Sequence, residues 1–136
     1  MKAPRTARSK PAASPLPAAC AKSPTGIVGF DEMTHGGLPP RRTSLLLGGP
    51  GSGKTIFALQ FLVHGARHLG EPGIFVAFEE SPQRIIDNVE SFGWDVGGLQ
   101  PDRLFFLDAQ PAPDLIQSGH FDLGGMLAGL ATVAAD

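Results

Sequence analysis

The chain has 136 residues, 42% of them hydrophobic, and a formal net charge of −2. This length and composition indicate at most one domain, with a small globular core rather than a disordered chain. No apolar stretch is long enough to cross a bilayer, which argues against a membrane span, and the single cysteine, Cys20, excludes an intrachain disulfide and fits a reducing, cytoplasmic environment.

The first 24 residues differ in composition from the rest of the chain. They hold five lysines and arginines and no acid, so residues 1–24 carry +5 and the remainder carries −7. They are also rich in alanine, serine and proline, and their five prolines prevent a continuous helix. We therefore expect a disordered basic tail over 1–24, followed by an acidic domain over 25–136.

A glycine-rich loop between a predicted strand and a predicted helix dominates the next segment. Residues 43–47 are an apolar run typical of a buried parallel strand, and a helix without proline is predicted from Lys54, fading between Gly65 and Gly70. Between them lies a complete G-x-x-x-x-G-K-T motif, formed by Gly48, Gly49, Pro50, Gly51, Ser52, Gly53, Lys54 and Thr55. Its amides would surround phosphates, Lys54 would reach the β- and γ-phosphates, and the Thr55 hydroxyl would ligate Mg²⁺.

Further strands and helices alternate after the loop. A second buried strand is predicted over 73–78 and a third over 104–107, ending at Asp108. A helix is predicted over 82–92, with Ser81 as its N-cap, and a last helical stretch from Asp122. Alternating strands and helices predict an α/β fold, an open parallel sheet with helices on both faces.

The acidic pair Glu79 and Glu80 follows the second strand. A carboxylate at the carboxyl end of a strand beside the phosphates can orient a water for attack on the γ-phosphate, so both are candidate catalytic residues. Adjacent residues of an extended strand point to opposite faces, so only one would face that water if the strand continued. The alternative interpretation is an acidic helix N-terminus that interacts favourably with the helix dipole.

Dispersed segments from Gly29 to about Leu130 resemble the N-terminal half of KaiC, a circadian-clock ATPase family of the RecA-like P-loop superfamily. The segments that carry the resemblance are Gly29-Phe30-Asp31, His35 to Pro39, the glycine-rich loop, Gly73 to Val76, Phe78-Glu79-Glu80, Ser91 to Asp95, and Leu107-Asp108-Ala109. The resemblance implies ATP and Mg²⁺ as ligands and a homo-oligomeric, hexameric ring with nucleotide between neighbours. By position, Gly51 to Ile56 would hold the phosphates, Thr55 the magnesium, and Ser91 would lie near the nucleotide. It also implies hydrolysis by Glu79 and Glu80, and clock-type protein partners.

The chain also departs from that family. Only the first of the two halves of KaiC is represented, so protein kinase activity is not expected, and elements that normally complete the ATPase domain follow the point where this sequence stops. We therefore expect a truncated, incomplete RecA-like domain that binds nucleotide weakly and turns it over poorly. Arg41 also stands where KaiC-like chains tend to have glycine.

Other functions fit the same loop less well. A RecA- or RadA-like DNA-dependent ATPase shares the loop, but the acidic domain argues against nucleic acid as a partner. A small nucleotide kinase needs more arginines than the three after the loop, and a non-catalytic interaction fragment remains open. His64 and His68 could share a metal, but without a third acidic ligand we interpret them as polar surface histidines.

Overall fold

The computed structural model describes residues 21–110 and 123–134, which form an α/β arrangement. The predicted tail lies outside the described residues apart from residues 21–24, and so does Asp122. The elements in chain order are α1 (Phe30–Met33), α2 (Lys54–His64), a π-helical turn (Gly65–Leu69), β1 (Gly73–Ala77), α3 (Pro82–Val89), two 3-10 turns (Glu90–Phe92 and Gly97–Leu99), β2 (Leu104–Asp108) and α4 (Leu123–Val133). No helix in these two ranges is both long and apolar enough to span a membrane.

The strands predicted over 73–78 and over 104–107, ending at Asp108, are confirmed and form a parallel two-stranded sheet, although β1 ends one residue earlier than predicted. Gly73 lies opposite Leu104 at one end of the ladder, and Ala77 lies opposite Asp108 at the other. Each strand is a short apolar run between polar or glycine-containing segments, which is why the sequence signals both. The carboxyl ends of β1 and β2 therefore meet at one edge of the sheet.

The core lies where α2 and α3 pack on this sheet. The buried core residues are Leu59, Val63, Ala77, Ile85, Val89, Val96 and Leu104. Leu59 and Leu104 are completely buried, and burial of each stabilises the fold by about 2 kcal/mol. Leu62 packs so closely on Gly73 that a β-carbon there would lie 2.9 Å from its methyl group. The helix predicted from Lys54 is confirmed, and its apolar side chains pack on the sheet.

The helix α3 begins as predicted and ends slightly earlier. Ser81 is extended (φ −66°, ψ 146°) and Pro82 occupies the first turn, although the Ser81 hydroxyl makes no capping hydrogen bond. The α-helix ends at Val89, and a 3-10 turn continues the chain to Phe92. Gly93 then closes the segment in a left-handed conformation (φ 69°), which glycine adopts without a steric penalty.

The predicted strand over 43–47 is absent. These residues are exposed and irregular, with Leu45 and Leu47 each 81% exposed. A buried strand needs hydrogen-bonding neighbours, and within the described residues β1 and β2 pair only with each other. Just before this segment Arg41 adopts a left-handed conformation (φ 57°), which glycine would adopt without a steric penalty.

Residues 23–38 pack against α2. An antiparallel bridge joins Ser23 to Leu38, with N–H to O distances of 2.8 and 2.9 Å. The rings of Phe30 and Phe57 pack edge to face with centroids 5.0 Å apart. The Gln60 amide also donates a hydrogen bond to the carbonyl of Gly26 (3.0 Å). We call residues 23–38 the lead-in.

The carboxylate of Asp31 organises the turn inside the lead-in. The Thr25 N–H donates to both carboxylate oxygens at 3.0 Å, the Thr25 hydroxyl donates at 2.7 Å, and the Gly26 N–H donates at 3.0 Å. Burial alone raises the pKa of Asp31, but these hydrogen bonds and the nearby His64 together hold this pKa below its ordinary value of 3.8. The charged form of Asp31 therefore stabilises the fold.

This lowered pKa predicts how stability depends on pH. The contribution of Asp31 to the free energy of unfolding is complete above pH 3.8 and is lost as the pH falls through the lower folded-state pKa. Replacing Asp31 by Asn should lower the free energy of unfolding at neutral pH by about 1 kcal/mol, because a neutral amide oxygen accepts weaker hydrogen bonds than a carboxylate. The decline of stability in acid should also become flatter, because the amide does not titrate. Urea denaturation from neutral to acid pH measures both effects. The exposed Glu32→Gln is the matched control, and an equal loss in both variants would contradict the assignment.

The first residue before α2 provides a second prediction. Gly53 has φ 83°, and a β-carbon at this position would meet no atom within 4 Å. Gly53→Ala should therefore cost about 1–2 kcal/mol through backbone strain alone. Gly97→Ala is the matched control, since that β-carbon also meets no neighbour but the backbone is not left-handed. Thermal unfolding compares the two variants, and equal melting temperatures would show that the loop relaxes without cost.

Candidate functional site

The glycine-rich loop turns directly into α2. Gly51 (φ 73°) and Gly53 (φ 83°) both adopt left-handed conformations, and the Ser52 N–H donates to the carbonyl of Gly49 at 3.3 Å. The Phe57 N–H donates to the carbonyl of Gly53 at 2.9 Å and starts the helical ladder. The amides of the preceding first turn have no acceptor within the helix. They face the loop, where the positive end of the helix dipole favours an anion.

The ammonium group of Lys54 lies over the start of the same loop. Its Nζ donates to the carbonyls of Gly48 and Gly49, both at 2.8 Å, and lies 3.4 Å from the hydroxyl oxygen of Ser52. A cation is thus held beside main-chain amides on an exposed loop. This pairing of a fixed positive charge with free N–H donors is the chemistry that binds a chain of phosphates.

A cleft separates the start of α2 from the carboxyl end of β1. It has a volume of about 260 Å³. The side chains and backbone that line it are Thr55, Phe75, Val76, Ala77, Phe78, Glu79, Glu80 and Ile85. The cleft therefore brings Thr55 of the loop motif and both candidate glutamates together, although Glu79 follows Thr55 by 24 positions in the sequence.

Both glutamates line this cleft because the strand has already ended. β1 stops at Ala77, and residues 78–80 form a bend, so the alternation of an extended strand does not apply to Glu79 and Glu80. Their catalytic role remains a prediction. Both glutamates, and not one alone, line the space next to Thr55.

A residue that the sequence did not single out holds this bend. The side-chain amide of Gln110 donates to the carbonyl of Glu79 at 2.9 Å, across 31 positions of the chain. The Gln110 N–H donates to a carboxylate oxygen of Asp108 at 3.0 Å, and the Ala109 N–H donates to the carbonyl of Ala77 at 2.8 Å. The position of Gln110 directly after β2 could have indicated this contact, because the carboxyl ends of parallel strands lie at one edge of the sheet.

Of the predicted binding residues, only Thr55 lines this cleft, and Gly48 to Lys54 form the adjoining loop. Ile56 is half-buried and packs against the core, so only its backbone N–H faces the loop region. Ser91 is exposed in the 3-10 turn after α3 and is not among the residues that line the cleft. Contact between Ser91 and a nucleotide therefore stays a prediction.

The donor set fits a magnesium nucleotide. Main-chain amides and an ammonium group suit phosphate oxygens, while a hydroxyl next to carboxylates suits Mg²⁺, which prefers oxygen ligands and retains several waters. Within the described ranges no group of three or more His, Cys, Asp and Glu could hold a metal ion by itself. Magnesium at this site would thus arrive with the phosphates rather than occupy a cage of protein ligands.

Comparison with known proteins agrees with this geometry. Residues 23–136 match the family model described as "ATPase: KaiC". The chain is 55% identical over 108 residues to the circadian clock oscillator protein KaiC of a Prochlorococcus marinus strain, covering 78% of this chain and 22% of that protein. It is 54% identical to KaiC of Thermostichus vulcanus over 108 residues, with 78% and 21% covered. With KaiC of a Picosynechococcus strain it shares 52% over 105 residues, with 76% and 20% covered.

The match covers the lead-in, the glycine-rich loop, both strands and the glutamate pair. The chain spans about a fifth of the length of these relatives. The small parallel sheet with packed helices fits an incomplete domain of the RecA-like P-loop fold. This chain belongs to the KaiC ATPase family.

Proposed function

We propose that this chain is a KaiC-type ATP-binding module that holds Mg-ATP on the glycine-rich loop. The observation that carries the proposal is the shared cleft of Thr55, Glu79 and Glu80 at the start of α2, with the Lys54 ammonium over the adjoining loop. The loop amides and Lys54 would bind the phosphates, and the Thr55 hydroxyl would ligate magnesium. The ion would neutralise charge that develops on the phosphate oxygens.

The two glutamates would act on the water that attacks the γ-phosphate. A carboxylate beside the bound phosphate can orient this water and accept its proton, which lowers the barrier without covalent chemistry by the protein. The contact from Gln110 to the Glu79 carbonyl would restrict the movement of the bend that carries both side chains. We propose Ser91 as a further nucleotide contact, in keeping with its place in the family pattern.

The relatives' names support a wider setting for this module. They describe circadian clock oscillator proteins, so we propose clock-type protein partners for this chain. From the family resemblance we also propose a cytoplasmic chain that assembles as a ring of like subunits. Slow turnover is expected from the chain alone, because its described sheet has two strands and residues 43–47 lie exposed beside the loop.

Nucleotide binding is tested first through Lys54. Lys54→Ala should weaken Mg-ATP binding by about 2 kcal/mol, roughly thirtyfold in Kd, because the phosphates lose a charged hydrogen-bond donor. Isothermal titration calorimetry on the full chain measures the change. Lys22→Ala is the control, since this exposed lysine lies away from the loop. A folded chain that gives no binding heat with Mg-ATP would rule out the proposal.

The catalytic assignment has its own measurement. Glu79→Gln and Glu80→Gln should each leave Mg-ADP affinity unchanged, and the variant that loses the water-orienting carboxylate should hydrolyse Mg-ATP about a hundredfold more slowly. Single-turnover assays with the chain in excess detect slow hydrolysis, and Glu90→Gln, in the 3-10 turn after α3, is the control. Hydrolysis that persists in both variants contradicts the assignment, whereas stimulation by single-stranded DNA would favour a RecA-like activity instead.

A further inference from the structure

Two histidines lie together at the far end of the helix that begins at the glycine-rich loop. His64 is the last residue of α2 and is half-buried, and His68 is exposed in the π-helical turn that follows. Their ring centroids are 5.0 Å apart and the ring planes are inclined by 41°. Residues four apart in a helix occupy the same face, so the backbone itself holds the two rings on one side.

We propose that His64 and His68 form a binding site for a divalent transition-metal ion of the kind that imidazole prefers, such as Zn²⁺. The ring separation matches this role. A ring nitrogen lies about 1.1 Å from its centroid and about 2.1 Å from a bound zinc ion, so tetrahedral coordination separates two imidazole centroids by about 5.2 Å. The observed separation of 5.0 Å is close to this value.

The surroundings of His64 favour one ring nitrogen for the metal. Its Nδ1 faces the lead-in, where a β-carbon added at Gly26 would collide with it. The Asp31 carboxylate accepts the Gly26 N–H at 3.0 Å and interacts electrostatically with His64, so negative charge lies on this side of the ring. With Nδ1 packed against the lead-in, Nε2 is the ring nitrogen that we assign to the metal.

The site is open and stands apart from the phosphate-binding loop. The described residues contain no third histidine, cysteine or carboxylate placed to complete a metal cage, so water would fill the remaining positions. The C-terminal end of α2 carries the negative end of the helix dipole, which favours a cation, while the neighbouring Arg67 opposes it. His64 follows Thr55 by nine positions on the same helix, which is about 14 Å along the helix axis.

Zinc binding by the untagged full chain tests this site. All samples carry Cys20→Ser, which removes the chain's only thiol, and calorimetry with ZnCl₂ and no nucleotide measures binding. We expect one ion per chain in the parent and loss of that binding in both His64→Ala and His68→Ala, because a two-imidazole chelate needs both rings. His35→Ala and His120→Ala should bind as the parent does. Zinc should also raise the melting temperature of the parent but not of the two deficient variants.

The outcomes separate this site from nucleotide binding and from a folding defect. Because His68 is exposed, His68→Ala should keep the parent's circular dichroism spectrum, so this variant tests zinc binding even if His64→Ala unfolds. His64→Gln is a milder change at the half-buried position. A folded parent that binds no zinc, or zinc binding that survives His68→Ala, overturns the proposal. Magnesium should not compete, since it prefers oxygen ligands.

Discussion

The packing of α2 on the two-stranded sheet is the constraint on which the other parts depend. Leu59 and Val63 are buried against the sheet, and this contact fixes both the axis and the rotation of the helix. Once the rotation is fixed, the amino-terminal end must present the glycine-rich loop beside the carboxyl end of β1. The other side of the helix, with Phe57 and Gln60, must receive the lead-in. Loss of the Leu59 contact would therefore disturb the cleft beside Thr55 and the lead-in together.

The packing of α2 on the sheet does not provide hydrogen-bond partners for the exposed segment over 43–47. Its leucines have the composition of a buried strand, but hydrophobic composition alone cannot hold a strand whose backbone groups have no ladder partner. A two-stranded sheet is marginal in isolation, and in the described part of the chain it is covered by α2 and α3 instead of being extended by further strands. The segment that leads into the glycine-rich loop is consequently less supported by packing than α2, which follows the loop. Weak nucleotide affinity would follow from a loop anchored firmly on its helical side only.

The sequence was sufficient where structure depends on near neighbours and insufficient where it depends on distant ones. Local sequence signals mark the loop, α2, α3 and both strands. These signals are the glycine-rich motif, a proline in the first turn of a helix, or an apolar run of suitable length. Residues 43–47 carry such a run too, yet a strand also requires partners that no local pattern contains. The contact of Gln110 with Glu79 crosses 31 positions and depends on where two strands end. The glutamate pair lines one cleft with Thr55 because the carboxyl end of β1 lies next to the start of α2, and its catalytic role stays a prediction.

The polarity of α2 relates the two proposed ligand sites to each other. Its amino-terminal end offers free amides and Lys54 to an anion, and its carboxyl-terminal end offers His64 to a cation, so each ligand lies at the pole that stabilises its charge. A separation of about 14 Å exceeds the Debye length of about 8 Å at physiological salt, so direct attraction between the ligands is largely screened. Any coupling must therefore pass through the structure. One path is α2 itself, and a second is the lead-in, because Gly26 packs on His64 and accepts a hydrogen bond from Gln60. A metal ion bound to His64 would restrict the movement of this side chain. It would thereby stabilise the contact of His64 with Gly26 and, through α2, the orientation of the glycine-rich loop.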